Sequence, residues 1–529
     1  MASELELELN LIRRIAMGDI LRRRARDRGS REALVEFAAG ERLALSFAEL
    51  NARVNQWVRG LRARGVRQGD RVALLGGNTS EFLIALWGCF KGGFVAVPVN
   101  FLQNPDDVGY NIRHSGARGV FADAGLQPLV DAVTEGVEDL VRGTLSGAGN
   151  DRFPSFTTFL EGQEAAEVDD IIIDDDDLAQ IMYTSGTTAR PKGVMLSHKN
   201  LFLASLNAVL STGGNRDSTS HAAVLPLFHI TAQMFSLTAA HMGGKTVLQN
   251  GFQPEILLGL IESEQLAFAI LLPLMWRALL ASPALPRHDY SSLKLGMYGM
   301  APMDAPTLAR LKEAFGCTFT TGSGQTEVAA VATVMDPAWT QVKEGNLWGD
   351  GSILSDQAVM DDQGNLLPPG EIGEVVWRSP QVMLGYFRNE EATAEARAHG
   401  WHHSGDIGCL DEDHQFRFVD RKKDIVKSGG ENVSSVKVES AILACEGVAN
   451  VGVIGLPHDY WGEAVTAVVA AQPGAPLDAE AVIEHCRQVL GGFEMPKKVV
   501  VLDELPMTAT GKVKKHLLRD RYRDLYEGS

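Results

Sequence analysis

The sequence predicts an α/β protein whose large N-terminal domain has parallel or mixed sheets covered by helices. Three observations support this prediction. Through the first four hundred residues, short apolar runs alternate with amphipathic segments, and this alternation is typical of a mostly parallel sheet covered on both faces. From residue 364 the sequence changes to a glycine-rich stretch and short runs in which apolar and polar residues alternate. These features predict a smaller β-rich subdomain. The dense charge cluster at 420–432 then precedes a compact α/β unit.

Hydrophobic periodicity assigns the elements of the N-terminal part. Short apolar runs predict buried strands at 71–75, 94–99, 119–122, 178–182, 246–248 and 266–272. Helical spacing of apolar residues predicts helices at 80–90, 200–210, 254–262 and 305–315.

The C-terminal part has its own pattern of elements. Alternation at 374–377, after the glycine-rich stretch 370–373, predicts a strand of the β-rich subdomain. Beyond the charge cluster, the predicted order is helix 436–443, strand 451–454, strand 464–471, helix 479–489 and strand 498–502. We therefore predict two domains, residues 1–420 and 421–529.

Composition and charge narrow the classes of function. The 529 residues include 49 basic and 67 acidic side chains, a net charge of −18, and 45% are hydrophobic, as in ordinary globular proteins. A strongly negative chain is a poor partner for nucleic acid or an anionic membrane. The apolar stretch around 266–280 is interrupted by Pro273 and Arg277 and is too short to span a bilayer. We expect a cytoplasmic protein without a transmembrane segment or a nucleic-acid partner.

The segment 183–193, YTSGTTARPKG, is the strongest motif for chemistry. A predicted strand runs directly into small and hydroxyl residues, which are followed by Lys192. Hydroxyls, accessible backbone N–H groups and one cation together suit a polyphosphate. A Walker A loop is excluded, because Gly193 rather than Ser or Thr follows the lysine.

Four further segments could act on the same ligand. They are 323–327 (SGQTE), 401–406 (WHHSGD), 420–424 (DRKKD) and 506–512 (PMTATGK). Thr326 and Glu327 suit an α-phosphate and its Mg²⁺. Asp406 could accept both ribose hydroxyls, with help from Arg421, and Lys512 could stabilise a reacting carboxylate and phosphate.

Together these motifs resemble the adenylate-forming superfamily of acyl-CoA synthetases, nonribosomal-peptide adenylation domains and firefly luciferase. The resemblance runs from about residue 18 to residue 518. It rests on the segments 183–193, 226–229, 298–302, 326–327, 373–386, 404–406, 420–432 and on Lys512. It implies a small mobile C-terminal α+β lid, with ATP, Mg²⁺ and CoA as the ligands. It also implies two half-reactions, in which a carboxylate first forms acyl-AMP and pyrophosphate and a thiol then displaces AMP.

The resemblance also implies a role for each matching residue. Catalytic roles are expected for His229, Thr326, Glu327 and Lys512. ATP binding is expected for Thr184, Ser185, Gly186, Thr187, Thr188, Lys192, Gly299, Met300, Ala301, Gly322, Ser323, Gly324, Asp406 and Arg421. The CoA path and the hinge are expected at Lys423, Gly429, Gly430 and Glu431. The acyl pocket is expected to include His229, Met300 and Gly324, and the metal site Glu327 and Thr188.

Four positions depart from the pattern of the superfamily, and the mildest is Ser404 in place of threonine. Ala189 replaces a glycine of the phosphate loop, and Ser323 replaces the tyrosine that usually stacks on adenine. Met300 replaces Gly or Ala in the acyl-site strand. The larger side chain should favour acids that are slender near the carboxylate, such as fatty acids, over acids with a ring attached directly.

These observations favour an AMP-forming carboxylic acid–CoA ligase. CoA is the expected acceptor because the sequence ends soon after Lys512 without a carrier domain. The alternatives are a ligase that passes the acyl group to a separate carrier protein, an aryl-acid CoA ligase, a luciferase-type oxygenase and a silent nucleotide-binding regulator. The oligomeric state is left open, with a homodimer as one alternative. His402 and His403 are adjacent in sequence, so we expect them to point to opposite faces of a strand rather than to ligate one metal ion.

Overall fold

The fold is described from a computed structural model that covers residues 3–38, 40–184, 190–215, 219–299, 303–336, 346–472, 474, 477–507 and 513–527. Internal contacts divide the chain into two units. The first comprises Met1–Gln357 and Trp377–His402, and the second comprises Ala358–Val376 and His403–Ser529. The boundary between residues 420 and 421, with a hinge near Lys423, stays a prediction.

The strands follow the chain in this order. Up to residue 351 they are β1 (Glu32–Ala38), β2 (Glu41–Ser46), β3 (Arg71–Leu75), β4 (Val95–Pro98), β5 (Ala117–Ala122), β6 (Val141–Thr144), β7 (Leu178–Thr184), β8 (Lys192–Ser197), β9 (His221–Ala223), β10 (Thr246–Leu248), β11 (Phe268–Leu271), β12 (Leu295–Tyr298), β13 (Thr318–Ser323), β14 (Thr333–Val334) and β15 (Asp350–Gly351). After residue 351 they are β16 (Asp356–Met360), β17 (Gly373–Arg378), β18 (Gly385–Tyr386), β19 (His402–Leu410), β20 (Phe416–Arg421), β21 (Val426–Ser428), β22 (Glu431–Val433), β23 (Val448–His458), β24 (Gly462–Ala471) and β25 (Lys498–Leu502).

The α-helices begin and end at the following residues. Up to residue 315 they are α1 (Glu4–Arg13), α2 (Gly18–Arg28), α3 (Phe47–Ala63), α4 (Ser80–Gly92), α5 (Pro105–Ser115), α6 (Gln127–Val133), α7 (His198–Ser211), α8 (Ile230–Met242), α9 (Pro254–Ser263), α10 (Pro273–Ala281) and α11 (Ala305–Phe315). The later ones are α12 (Glu390–Glu395), α13 (Ser435–Leu443), α14 (Ala479–Val489) and α15 (Lys515–Arg521). Among the residues described, no helix is both long and apolar enough to cross a membrane.

Two large sheets organise the first unit. The nine-stranded sheet has the order β15-β14-β13-β12-β11-β9-β10-β1-β2, and its six strands from β13 to β1 run parallel. The seven-stranded sheet has the order β18-β8-β7-β4-β3-β5-β6. Its strands from β7 to β6 run parallel, β8 pairs antiparallel with β7, and β18 pairs antiparallel with β8. Short apolar strands such as β3 are buried on both faces, as parallel strands covered by helices must be.

Local sequence signals fix several helix ends beside these sheets. The hydroxyl of Ser46 accepts a hydrogen bond from the Glu49 amide, and the Glu49 carboxylate reciprocates, which forms a capping box at the start of α3. Ser197 and Asn200 form the same arrangement at the start of α7. Helix α4 ends at Gly93, whose φ of 68° is the left-handed conformation that favours glycine.

Two further sheets lie wholly or largely in the second unit. One has four strands in the order β16-β17-β19-β20. The other consists of β22-β21-β24-β23 with β25 parallel to β24. Helices α13 and α14 cover an apolar core that includes Val438, Ile442, Val482 and Cys486.

The elements predicted from the sequence agree well with those observed. The bounds of β3, β10, α11, α14 and β25 are those that periodicity predicts. The other predicted elements differ by a few residues at their ends, and the strand predicted at 451–454 is part of the longer β23. The mixed α/β architecture, with a large N-terminal part and a small C-terminal part, is confirmed.

Candidate active site

Several predicted site residues follow the carboxyl ends of neighbouring parallel strands. Gly299 follows β12, and Gly322 to Gly324 end β13 and continue beyond it. The two strands pair with Tyr298 opposite Thr321, so a Cβ atom at Gly299 would lie 3.6 Å from the Gly322 carbonyl oxygen. Carboxyl ends of parallel strands are the usual binding edge of α/β sheets. The structure thus brings these glycines together, whereas Met300 and Ala301 lie outside the described residues.

The glycines at the end of β13 are required by close backbone packing. A Cβ atom at Gly324 would lie 1.6 Å from the Ala330 carbonyl oxygen, and one at Gly322 would lie 2.4 Å from the Thr333 carbonyl oxygen. Both distances are far below van der Waals contact. The chain therefore turns back on itself here, and the turn between these contacts carries Thr326 and Glu327.

The turn itself has strained backbone. Thr326 to Val328 form one turn of 3₁₀ helix, after which Ala329 and Ala330 have φ values of 50° and 93°. Positive φ is uncommon for alanine and costs about 1–3 kcal/mol where the surroundings impose it. Nδ2 of Asn207 in α7 donates to the Val331 carbonyl at 3.1 Å and so holds the far side of the turn. Glu327 is thereby presented from a rigid backbone.

The predicted phosphate loop connects the two strands of a β-hairpin. Thr184 ends β7, Lys192 begins β8, and the two residues are partners in the antiparallel ladder. The Thr184 hydroxyl lies 3.5 Å from the Lys192 carbonyl oxygen. Ser185, Gly186, Thr187, Thr188 and Ala189 lie outside the described residues. The hairpin fixes both ends of the loop, which the sequence motif alone did not predict.

Tyr386 joins the hairpin to the Glu327 turn. It pairs with Val194 through the short antiparallel strand β18. Its hydroxyl donates to Oε1 of Glu327 at 3.0 Å, and Nζ of Lys192 lies 5.0 Å from the centre of its ring. Burial and the neighbouring Glu327 carboxylate raise the pKa of Tyr386. Sequence analysis placed Tyr386 in a motif but gave it no role.

Asn78, which sequence analysis missed, positions the segment that leads to His229. Its Nδ2 lies within 2.8–3.2 Å of the carbonyl oxygens of Ala223, Leu225 and Gln249, and its Oδ1 accepts from the Leu227 amide at 2.9 Å. Asn78 follows β3 of the seven-stranded sheet, whereas its partners follow strands of the nine-stranded sheet. It therefore fixes the turn before α8, at whose N-terminus His229 lies. A single Asn after a strand gives no sequence signal for this contact.

The residues of the first unit fit a divalent cation that arrives with a nucleotide. The Glu327 carboxylate is a hard oxygen ligand of the type that Mg²⁺ prefers. In the described part of the chain, no three His, Cys, Asp or Glu side chains form a cage for a metal ion. Mg²⁺ commonly binds through one or two carboxylates together with substrate phosphates, so a single carboxylate that shares the neighbour Tyr386 with the Lys192 cation is a suitable arrangement.

Asp406 and Arg421 form an ion pair in the second unit. They face each other across the antiparallel β19–β20 ladder, and the Arg421 Nε lies 2.6 Å from the Asp406 Oδ1. The Asp406 side chain is 1% exposed, whereas that of Arg421 is 37% exposed. Ser404, on the same strand, contacts the backbone of Asp406, because its hydroxyl accepts from the Asp406 amide at 3.0 Å. The predicted partnership of these two residues is thus a cross-strand pair.

His402 and His403 have different partners. Nε2 of His402 lies 3.3 Å from Oε1 of Gln325, and its ring stacks on Trp377. Nδ1 of His403 lies 3.2 Å from Oε2 of Glu374. The alternation of side chains along a strand explains why the two rings diverge.

Gly429 and Gly430 form a tight turn between β21 and β22. Their φ values are 62° and 86°, and Ser428 pairs with Glu431 across the hairpin. Two successive positive φ values define the hairpin turn that favours glycine at both positions. The turn and Glu431 are exposed, as is Lys423 three residues before β21.

Lys512 lies outside the described residues, but its flanks are well held. Met507 and Val513 form a β-bridge, and the Lys514 amide donates to the Pro506 carbonyl at 2.7 Å. Helix α15 begins directly afterwards. Nζ of Lys515 lies 2.7 Å both from Oε1 of Glu439 and from the Ser435 hydroxyl.

Comparison with known proteins gives one consistent result over most of the chain. The sequence profile of the AMP-binding enzyme family matches residues 21–387, and that of the AMP-binding enzyme C-terminal domain matches residues 437–512. A feruloyl-CoA synthase of Amycolatopsis is 36% identical over 480 residues, which cover 90% of this chain and 94% of the relative. The long-chain-fatty-acid–CoA ligase FadD13 of Mycobacterium tuberculosis is 32% identical over 509 residues, 96% of this chain and 98% of the relative. Among solved structures, ATP-bound MatB from Rhodopseudomonas palustris is 31% identical with a TM-score of 0.85, covering 96% of this chain and all of MatB.

Proposed function

The chain belongs to the family of AMP-binding enzymes, and from this premise we propose which residues carry each step and which acids react. It is an AMP-forming acid–CoA ligase that uses ATP and CoA. The observation that carries the assignment of residues is the contact of Lys192 and Glu327 with one side chain, Tyr386. A cation and a metal-binding carboxylate at one place are what a triphosphate with its Mg²⁺ requires.

In the first half-reaction, a carboxylate oxygen of the acid attacks the α-phosphorus of ATP, and the bond to the bridging oxygen of the β-phosphate breaks. The products are acyl-AMP and pyrophosphate. We assign Thr184 to Thr188 and Lys192 to the β- and γ-phosphates, and Thr326 to the α-phosphate. Glu327, with Thr188, would hold the Mg²⁺, which neutralises phosphate charge when bound.

We propose the remaining adenylation roles from the match of this chain to the family. Gly299 to Ala301 and Gly322 to Gly324 would line the adenine and the acyl carboxylate, because Gly299 and the segment Gly322 to Gly324 lie at one strand edge. Asp406 would accept hydrogen bonds from the ribose hydroxyls, and Arg421 would hold that carboxylate in place. Lys512 would stabilise the charge that develops between carboxylate and α-phosphate.

In the second half-reaction, the CoA thiolate attacks the acyl carbonyl carbon, and the bond to the AMP oxygen breaks. We propose that a small mobile lid, residues 421–529, rotates about Lys423 between the two steps. The rotation would move Lys512 away from the reacting groups and bring the Gly429–Glu431 turn to them. The Gly–Gly sequence leaves residues 429 and 430 without side chains, which suits a path for the narrow pantetheine arm. We place the enzyme in the cytoplasm, where its five cysteines stay reduced.

For the acid, we propose a hydrophobic substrate that is slender next to its carboxylate. The argument rests on Met300, and two relatives are consistent with it. One is named for the feruloyl group, whose ring is separated from the carboxyl carbon by two carbons, and the other for long-chain fatty acids. Both acyl groups are slender next to the carboxylate, which is where the Met300 side chain would reduce the width of the acyl pocket.

An acid panel tests this function. Protein, ATP and CoA are mixed with octanoate, cinnamate or benzoate, and AMP and thioester are both measured. We expect AMP and thioester in equal amounts, with benzoate disfavoured in kcat/KM by about 10- to 200-fold, the range that one methylene-sized misfit gives. Met300→Gly should reduce this discrimination. A wild-type preference for benzoate would contradict the substrate proposal, and AMP or acyl-AMP without thioester would favour a ligase whose acceptor is a carrier protein rather than CoA.

The metal assignment is tested separately. Glu327→Ala should lower the rate of acyl-AMP formation by about 10²–10³, the usual effect of removing one charge-stabilising group. Turnover near that of the wild type at ordinary Mg²⁺ would show that Glu327 does not hold the ion.

A further inference from the structure

Tyr386 contacts two charged residues of the first unit at different parts of its side chain. The hydroxyl donates to Oε1 of Glu327 at 3.0 Å, and the ring face lies 5.0 Å from Nζ of Lys192. These residues come from three separate parts of the sequence, at positions 192, 327 and 386. Their meeting is therefore a property of the fold.

Three backbone contacts hold Tyr386 in this position. The Leu384 amide donates to the Met195 carbonyl at 2.8 Å, and the Phe387 amide donates to the Gly193 carbonyl at 2.7 Å. On the other side, the Met383 amide donates to the carbonyl of Glu327 itself at 2.7 Å. The segment 383–387 is thus attached both to the strand that begins with Lys192 and to the Glu327 turn.

We propose that Tyr386 is a positioning residue that presents Lys192 and Glu327 together to a Mg²⁺-bound triphosphate. A hydrogen bond at Oε1 fixes the plane of the Glu327 carboxylate and hence the direction of Oε2. An aromatic face attracts an ammonium group and limits the directions in which the long lysine side chain points. The inference rests on the proposed roles of Lys192 and Glu327 and adds the residue that couples them.

Two substitutions separate the two contacts. Tyr386→Phe removes the hydroxyl but keeps the ring, so Glu327 loses this hydrogen bond while Lys192 keeps the aromatic face. Tyr386→Leu removes both contacts. Tyr290→Phe is the matched control, because Tyr290 is also buried in the first unit and its hydroxyl donates to the Leu285 carbonyl at 2.7 Å.

The measurement is calorimetric binding of α,β-methylene-ATP, which cannot be cleaved, with no acid present. With Mg²⁺, Tyr386→Phe should bind the analogue roughly tenfold to a hundredfold more weakly, the effect of one hydrogen bond to a charged group. With EDTA in place of Mg²⁺, Tyr386→Phe should bind like the wild type. Tyr386→Leu should then bind roughly threefold to thirtyfold more weakly, because Lys192 has lost the aromatic face.

The controls keep failure of this inference distinct from failure of the proposed function. Tyr290→Phe should bind like the wild type in both buffers, and thermal unfolding establishes that each variant is folded. If Tyr386→Phe binds the analogue as tightly as the wild type in Mg²⁺, the hydroxyl does not position Glu327. If Tyr386→Phe and Tyr386→Leu bind it equally in EDTA, the ring does not position Lys192. If Glu327→Ala in the same series fails to form acyl-AMP, the proposed role of Glu327 stands, and such a result contradicts only the role of Tyr386.

Discussion

At the scale of single residues, burial controls the charge of His198 in the first unit. Its side chain is almost fully buried, and its Nδ1 accepts a hydrogen bond from the Met17 amide at 3.2 Å. Burial, with a smaller effect of Arg14, lowers the pKa of His198 from 6.5 to about 4. A proton on Nδ1 would remove the acceptor, so the folded state holds the neutral ring.

We predict that this residue makes the protein sensitive to acid. The pKa of His198 is lower in the folded state than in the unfolded state. The free energy of unfolding is therefore at its full value above pH 6.5 and decreases as the pH falls towards 4. At pH 5, the loss from His198 should be about 2 kcal/mol. Urea unfolding at pH 7.5 and pH 5 should show a smaller loss in His198→Gln than in the wild type. Equal losses would contradict the prediction, and His516→Gln, at an exposed position, is the control.

Asn78 gives a second prediction at this scale. Asn78→Ala leaves the Leu227 amide and the carbonyls of Ala223, Leu225 and Gln249 without their amide partner. A buried polar group without a partner costs about 1–3 kcal/mol, so the urea midpoint should fall. Relative kcat/KM for octanoate and cinnamate should also change, because the turn before His229 is released. Asn150→Ala is the control, since Asn150 makes several hydrogen bonds in an exposed loop; an equal effect of both variants would contradict a special role for Asn78.

At the scale of elements, helix α15 is attached to the second unit at both ends. Lys515 at its start pairs with Glu439 of α13, and both side chains are less than 20% exposed. Arg519 in its last turn pairs with Asp424 at 2.7 Å, beside the predicted hinge. The helix therefore connects the flank of Lys512 to residues next to Lys423.

We predict that breaking the first attachment affects both stability and adenylation. Lys515→Met leaves the buried Glu439 without its cation and should destabilise the second unit by about 3 kcal/mol. Formation of acyl-AMP should fall more than its conversion to thioester, because Lys512 lies three residues before Lys515. Arg487→Met removes an exposed pair with Glu484 and should cost less than about 1 kcal/mol. An equal loss of stability in Lys515→Met and Arg487→Met would contradict the prediction. An equal loss of rate in both half-reactions of Lys515→Met would also contradict it.

At this scale, the sequence predicts the elements better than their contacts. Strand β3 and helix α11 have the bounds that periodicity predicts, because one period dominates each segment. The motif at 183–193 indicated a phosphate loop but not the β7–β8 hairpin that carries it, since β8 begins within the motif at Lys192. The roles of Tyr386 and Asn78 could not be predicted, because each depends on contacts between residues more than fifty positions apart.

At the scale of the whole molecule, the predicted roles of Lys512 and Gly430 separate the two half-reactions. Lys512→Ala should lose acyl-AMP formation by about 10²–10³ yet still convert a supplied acyl-adenylate and CoA to thioester. Gly430→Leu should do the reverse, because its side chain fills the expected pantetheine path. Single-turnover assays of each step, with thioester and AMP quantified, measure both effects.

Gly430→Ala is the control for this pair. Any side chain at residue 430 is strained at a φ of 86°, but a Cβ atom there has no neighbour within 4 Å in the described part of the chain. Alanine and leucine therefore share the backbone strain and differ only in volume. Equal loss of both half-reactions in each variant, or equal effects of Gly430→Ala and Gly430→Leu, would contradict a lid that alternates between two states.

The three glycines at the β12–β13 strand edge differ in how much variation they can accept over evolution. Gly322 and Gly324 admit no other residue without moving backbone, since a Cβ atom would lie 2.4 Å or 1.6 Å from a carbonyl oxygen. Among the described residues, Gly299 has no such limit, because a Cβ atom there would be in ordinary contact at 3.6 Å and its φ is not positive. Mutant libraries that seek a new acid specificity should therefore keep residues 322 and 324 fixed and vary residue 299 with small side chains.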